Sequence, residues 1–130
     1  MLYLIPDDLL AINEFVLAQE GQQSHLRDAG SLESALMRPQ MAAHYEGADL
    51  ARQVAPLVAG IALAHAFVDG NKRTALLAGE MFVDLNGSRV ESEPLEFAKA
   101  ILALVNHGES VEAATANLES WMRARLHPQR

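Results

Sequence analysis

Two apolar segments held apart by ten chemically loaded residues restrict this chain more than any other feature. Leu50–Ala64 is apolar apart from Arg52 and Gln53, and Ala75–Leu85 is mostly apolar again. Between them stands His65-Ala66-Phe67-Val68-Asp69-Gly70-Asn71-Lys72-Arg73-Thr74. Val54, Leu57, Val58 and Ile61 recur at helical spacing and the stripe continues onto His65, so a core-forming helix runs into the polar stretch. Asp69-Gly70-Asn71 is a turn sequence, because Gly and Asn tolerate positive φ and Asp or Asn bonds the nearby backbone. The chain therefore breaks there, and a second helix restarts near Asn71 or Lys72.

A helix starting at that point aims its unpaired N–H groups and positive dipole end at the loop, beside the Lys72 ammonium and the Arg73 guanidinium. That combination is an anion site suited to phosphate. Asp69 can hold a divalent ion bridging phosphate oxygens, and His65 can take a proton from an incoming hydroxyl. Each residue also has an ordinary reading. His65 lies on the apolar stripe and fits a satisfied core histidine, Asp69 fits a turn former, and Lys72 with Arg73 fits a solvated helix start.

The pattern His-x-Phe-x-Asp-Gly-Asn-Lys-Arg-Thr at 65–74 resembles the signature of the Fic/Doc superfamily, in its Doc (death on curing) branch. Leu32-Glu33-Ser34-Ala35-Leu36-Met37-Arg38-Pro39-Gln40 is also similar to that branch. In the larger Fic branch the place of Lys72 is held by glycine, and a second arginine stands where this chain has Leu76. The resemblance implies a toxin of a bacterial toxin–antitoxin pair that works as a protein kinase on Mg²⁺-bound ATP. In that scheme Gly70, Asn71, Lys72 and Arg73 hold phosphate, Lys72 and Arg73 stabilise charge on the transferred group, Asp69 positions Mg²⁺ and His65 deprotonates the attacking hydroxyl. It further implies a threonine of translation elongation factor Tu as target, arrest of translation as outcome, and a Phd-like antitoxin whose disordered tail folds as a helix into a groove of the toxin. Two other readings stand beside it: AMP transfer through the same residues with ATP bound in the opposite sense, which Lys72 disfavours, and a non-catalytic antitoxin-binding corepressor module.

The remaining sequence narrows the class. At 130 residues, half of them hydrophobic, one compact domain over 1–130 is expected, with a core of its own. A net charge of −7 disfavours a general nucleic-acid surface. Arg123, Arg125 and Arg130 fit either an acidic partner or cations near a helix C-terminus. Cysteine is absent, so disulfides and thiolate metal sites are excluded. The start Met1-Leu2-Tyr3-Leu4-Ile5-Pro6-Asp7-Asp8 lacks the pattern of a signal peptide. The apolar run from Val54 is interrupted by Pro56, Gly60 and His65 and falls short of the ~20 residues that cross a bilayer. A cytoplasmic protein is expected.

In chain order, residues 1–5 pair as a short strand or lead in, and a first helix spans about 6–20, with Leu9, Ile12 and Val16 inward and Gly21 as its end. A short helix capped near Ser31 is stopped by Pro39. Residues 38–46 are the candidate for a flap that aligns a target segment along the site. Asp49 caps a third helix that Pro56 kinks or delays, and the fourth spans about 71–86 with Leu76, Gly79, Phe82 and Val83 inward. Gly79 implies another helix passing close. Pro94 opens a fifth helix with Ala98, Ile101, Leu102 and Val105 on its buried side and Gly108 as terminator. Ser110 caps a sixth, with Val111, Ala114, Leu118, Trp121 and Met122 as its core stripe. No segment alternates well enough to demand a sheet. The expected fold is all-α, a compact six-helix bundle, in agreement with the Fic/Doc resemblance.

Other chemistries fit poorly. A P-loop needs Gly-x4-Gly-Lys-Ser/Thr after a strand, and the histidines at 25, 44, 107 and 127 lack metal-ligand spacing. Thr115-x3-Glu119 approaches the self-inhibitory helix pattern of some Fic proteins, but Ser120 breaks it. Restraint from an outside partner is expected instead.

Overall fold

The structure, a computed structural model, describes residues 1–105 and 108–129. Among the described residues there are six helices, with the third at the centre: α1 (Pro6–Ala18), α2 (Ala29–Glu46), α3 (Leu50–Ala64), α4 (Asn71–Leu85), α5 (Pro94–Val105) and α6 (Val111–Arg123). The helix α3 contacts α2, α4, α5 and α6 and is buried from Val54 through Ala62 apart from Pro56. A helix apolar on all sides is stable only when surrounded, which is why the most hydrophobic segment became the axis. Its one buried polar side chain is satisfied: Gln53 Nε2 donates to the Ala48 carbonyl at 2.8 Å and its Oε1 accepts from the Tyr3 hydroxyl at 3.0 Å. Pro56 neither delays nor ends the helix, which starts at Leu50 with Asp49 accepting from the Arg52 N–H at 3.0 Å. Among the described residues no helix is long and apolar enough to cross a membrane.

Small residues set the closest helix crossings. A Cβ on Gly79 would lie 2.7 Å from Val58 Cγ2 and 3.2 Å from Phe97 Cζ, so α3 and α5 both press on α4 there, as its place on the inward stripe implies. At Gly60 a Cβ would meet Ala35 Cβ at 3.1 Å and Arg38 Cδ at 3.2 Å, which marks where α2 crosses α3.

Several boundaries differ from the sequence expectation. The second helix is longer and begins earlier: Asp28 caps it, accepting from the Ser31 N–H at 3.1 Å, and it runs through Pro39 to Glu46. An interior proline costs about 3 kcal/mol, but Pro39 lies buried beside Leu36 and Ala42 in the α2 face that packs on α3. The stop is Gly47, left-handed at φ 61°, whose N–H bonds the carbonyls of the last turn. Residues 38–46 are therefore helix rather than flap. Residues 1–5 form no strand, and are tied down by Leu2, whose N–H donates to Asn86 Oδ1 at 2.7 Å.

The helix α5 is turned relative to expectation. Phe97, Ile101 and Leu104 are buried, whereas Leu102 and Val105 are exposed. Both faces are apolar enough that spacing could not choose between them. Phe97 decides, because it fits over Gly79 and stacks on Trp121 with ring centroids 5.3 Å apart. Asn106, His107 and Arg130 lie outside the described residues. In α6, Ala114, Leu118 and Met122 are buried, Val111 is exposed, and Trp121 is half-buried with the Arg125 guanidinium 4.3 Å from its ring centroid. Arg123 bonds Asp49 and Glu119.

Two three-residue strands, β1 (Ser88–Val90) and β2 (Leu126–Pro128), form an antiparallel ladder with Ser88 opposite Pro128, Arg89 opposite His127 and Val90 opposite Leu126. Strands this short carry no readable alternation. The fold remains all-α with this small addition.

Candidate active site

The site is the passage from α3 to α4. The helix α3 ends at His65, whose backbone is left-handed at φ 53° and ψ 39°; it is the one non-glycine residue with positive φ among those described. That turn takes the side chain off the buried stripe, so Val54, Leu57, Val58 and Ile61 are buried while the imidazole is exposed. The reading of His65 as a core residue is thereby corrected. A residue in this conformation persists only when its surroundings hold it. Here Arg27 does so, donating from Nε and Nη2 to the His65 carbonyl, each at 3.2 Å. The next carbonyl, of Ala66, accepts from the N–H groups of Arg27 at 2.7 Å and Asp28 at 3.0 Å, and the Val68 N–H donates to the His25 carbonyl at 2.9 Å. The segment beside the motif is thus 25–28, joined by the antiparallel bridge of Leu26 with Phe67. Asp28, at its end, receives hydrogen bonds from the N–H and hydroxyl of Ser31, which hold its carboxyl below the ordinary carboxylate range.

Phe67 is fully buried and anchors the loop. Asn71 closes it: its Oδ1 accepts from the Phe67 N–H at 3.1 Å and its Nδ2 donates to the Phe67 carbonyl at 2.9 Å. With the residue 8 % exposed, its amide is committed to the fold, and what Asn71 offers an anion is its backbone N–H at the start of α4. Gly70, the N-cap, is left-handed at φ 76°, and a Cβ there would lie 2.8 Å from Leu17 Cδ2. No side chain caps α4, which leaves its first-turn N–H groups to solvent or a ligand.

These groups line a cleft of about 480 Å³. His65, Asp69, Gly70, Asn71, Lys72 and Arg73 all border it, and Leu76 with Ala98, Ile101 and Leu102 of α5 makes the facing apolar wall. Two of the six have their side chains engaged within the protein. The Asn71 amide is taken up by Phe67, and Arg73 is drawn to the residues just past α1, paired with Glu20 and donating from Nη2 to Gln19 at 3.2 Å. Asp69 Oδ1 accepts from the Gly70 N–H at 2.7 Å. Among the described residues no three His, Asp or Glu gather to hold a metal. Glu119 is held by Arg52 at 3.4 Å and Arg123 at 2.7 Å.

Sequence reading missed Arg27, the α5 wall and Asn13, whose Nδ2 donates to the Asp69 carbonyl at 3.0 Å. Arg27 carries no local signal. Asn13 does, as a polar residue one turn beyond Leu9 on the inward face of α1. The wall residues Ala98 and Leu102 were noticed as apolar, but assigned to the core.

Residues 3–83 match the Fic/DOC family. The chain is 35 % identical over 95 residues to a protein named Toxin Doc from Mycolicibacterium smegmatis, covering 70 % of this chain and 69 % of that one. It is 32 % identical over 95 residues to Protein kinase doc of Escherichia phage P1, covering 72 % and 75 %. A family match over more than half the chain, which contains the whole loop from α3 to α4, establishes that this protein belongs to the Fic/DOC family.

Proposed function

We propose that residues 1–130 act as one domain, the toxin of a toxin–antitoxin pair, and that it is a protein kinase transferring the γ-phosphate of Mg²⁺-bound ATP to a protein hydroxyl. The observation that carries this reading is the cleft itself: an exposed imidazole, an uncapped helix N-terminus and the Lys72 side chain bordering one cavity. The names of the two relatives, Toxin Doc and Protein kinase doc, support it.

In the proposed reaction the phosphates lie at the start of α4, held by the N–H groups of Asn71, Lys72 and Arg73, by that of Gly70 once it leaves Asp69 Oδ1, and by the Arg73 side chain once it leaves Glu20. Asp69 would hold the Mg²⁺ ion carried by the nucleotide, and that ion would offset phosphate charge. An imidazole nitrogen of His65 takes the proton of the attacking hydroxyl as its oxygen bonds to the γ-phosphorus. The bond to the β–γ bridging oxygen breaks and ADP leaves with the electron pair. Lys72 stabilises the charge on the phosphoryl oxygens as they pass between the two. The apolar wall of Leu76, Ala98 and Leu102 suits the rest of the nucleotide. The proposed target is a threonine of translation elongation factor Tu, in the cytoplasm, and the proposed restraint is a Phd-like antitoxin.

The test is label transfer to elongation factor Tu with Mg²⁺, comparing ATP labelled at the γ-phosphate with ATP labelled at the α-phosphate, and with His65→Ala as control. Label from γ alone, lost in the control, is the expected result. Label from α means AMP transfer despite Lys72. Label from neither, with a lysate also negative, removes the catalytic reading and leaves the antitoxin-binding corepressor module.

A further inference from the structure

The four residues of the phosphate cradle, Gly70 to Arg73, are bracketed by one buried amide from another helix. Asn13 of α1 is fully buried. Its Nδ2 donates to the Asp69 carbonyl at 3.0 Å, immediately before the cradle, and to Thr74 Oγ1 at 3.0 Å, immediately after it. Its Oδ1 accepts from the Ser24 hydroxyl, and because the Asp69 carbonyl can only accept, the bond to it leaves the amide one orientation. Thr74, fully buried like Asn13, sends its own N–H back to the Gly70 carbonyl at 2.9 Å. The same helix supplies Leu17, against which Gly70 is pressed.

Burial explains why the arrangement is demanding. A buried amide without partners is costly, so the sequence keeps a polar group between Leu9 and Leu17 only where the main chain it meets is held to match.

We infer that Asn13 is a positioning residue for the phosphate cradle: it sets where the N–H groups of Gly70 to Arg73 stand, without itself reaching the cleft. This rests on the nucleotide reading above and adds to it that α1 governs phosphate binding separately from the proton transfer at His65, which Arg27 holds in place. Loss of the clamp thus acts on nucleotide affinity and KM rather than on kcat.

The experiment compares wild type with Asn13→Ala, Ser24→Ala and Thr74→Val, each first shown folded by circular dichroism and melting. Mg-ATP affinity is measured by calorimetric titration, KM and kcat by γ-label transfer, and deuterium uptake over 69–74 against that over 54–62. Asn13→Ala is expected to weaken Mg-ATP binding about ten-fold, the scale of one buried hydrogen bond. KM should rise in step, kcat should change by less than about two-fold, and uptake should increase over 69–74 alone. The smaller variants should give lesser effects of the same kind, and they carry the test if Asn13→Ala does not fold. Unchanged affinity and unchanged uptake in the folded variants would overturn the inference, and so would a loss confined to kcat. A wild type that binds no Mg-ATP, with variants that still loosen 69–74, would remove the nucleotide reading while leaving the clamp in place.

Discussion

Asn71 separates two accounts of the loop, because a phosphate ligand and a structural amide respond differently to truncation. In Asn71→Ala the N–H and carbonyl of Phe67 lose the partners they have at 3.1 Å and 2.9 Å. Both lie beside a ring that is fully buried, so water replaces the amide poorly. Each orphaned group costs about 1–3 kcal/mol, and with partial relaxation the pair should cost about 2–4 kcal/mol. With a urea slope of about 1–3 kcal/mol/M for a domain of this size, the unfolding midpoint should fall by roughly 1–2 M. Equilibrium urea denaturation followed by tryptophan fluorescence at Trp121 reads this directly, and the Phe67 amide should lose its exchange protection. Nucleotide affinity should fall as well, as a consequence of the loosened loop. If Asn71→Ala kept its midpoint and the Phe67 amide stayed protected while Mg-ATP binding vanished, the side chain would be a ligand and the structural assignment wrong.

Gly79→Ala should destabilise the protein by about 1–3 kcal/mol through overpacking, although alanine is the better helix former by about 1 kcal/mol. The new methyl meets Val58 at 2.7 Å, so Val58→Ala in the same chain should recover part of the loss in a double-mutant cycle, and a more stable single variant would contradict the packing. Glu20→Gln should free Arg73 and tighten Mg-ATP binding by about two- to three-fold at low salt, a small effect because both side chains are about half exposed; weaker binding would show instead that Glu20 orients the arginine. Hydrogen bonds from the Arg52 N–H and the Arg123 guanidinium hold the Asp49 carboxyl below the ordinary carboxylate range. Because the folded value is the lower one, the stability this gives is complete above the unfolded value and is lost as pH falls through the folded value. Asp49→Ala should therefore flatten the acid limb of a stability–pH profile below about pH 4, and an unaltered limb would refute the linkage.

How much of this was legible beforehand varies by element. The α3–α4 passage was legible because its signals are local: Gly70 and Asn71 make the turn, the apolar runs on either side make helices, and the order of side chains from His65 to Arg73 carries the family. Asp49, Pro94 and Ser110 mark helix starts for the same reason, since a cap or an N-terminal proline acts within one turn. Pro39 misled because its local cost is outweighed by burial against α3, and because the actual stop, Gly47, terminates α2 through its φ and not merely through its place in the sequence. On α5 two apolar stripes compete, and only the space over Gly79 and the ring of Trp121 select Phe97 for the interior.

Helical class, most boundaries and the identity of the groups at the cleft are thus written in the chain alone, because periodicity and short-range chemistry dictate them. How those groups are presented depends on the packed molecule. Packing turned His65 off the buried stripe, committed the Asn71 amide to Phe67, paired Arg73 with Glu20 and raised Leu102 into a cleft wall. It also brought Arg27 and Asn13 from 38 and 56 residues away onto the backbone of the loop, and joined β1 to β2 across the chain. Such contacts arise from chain segments meeting in space, and neither residue spacing nor propensity encodes which distant carbonyl a buried amide will find.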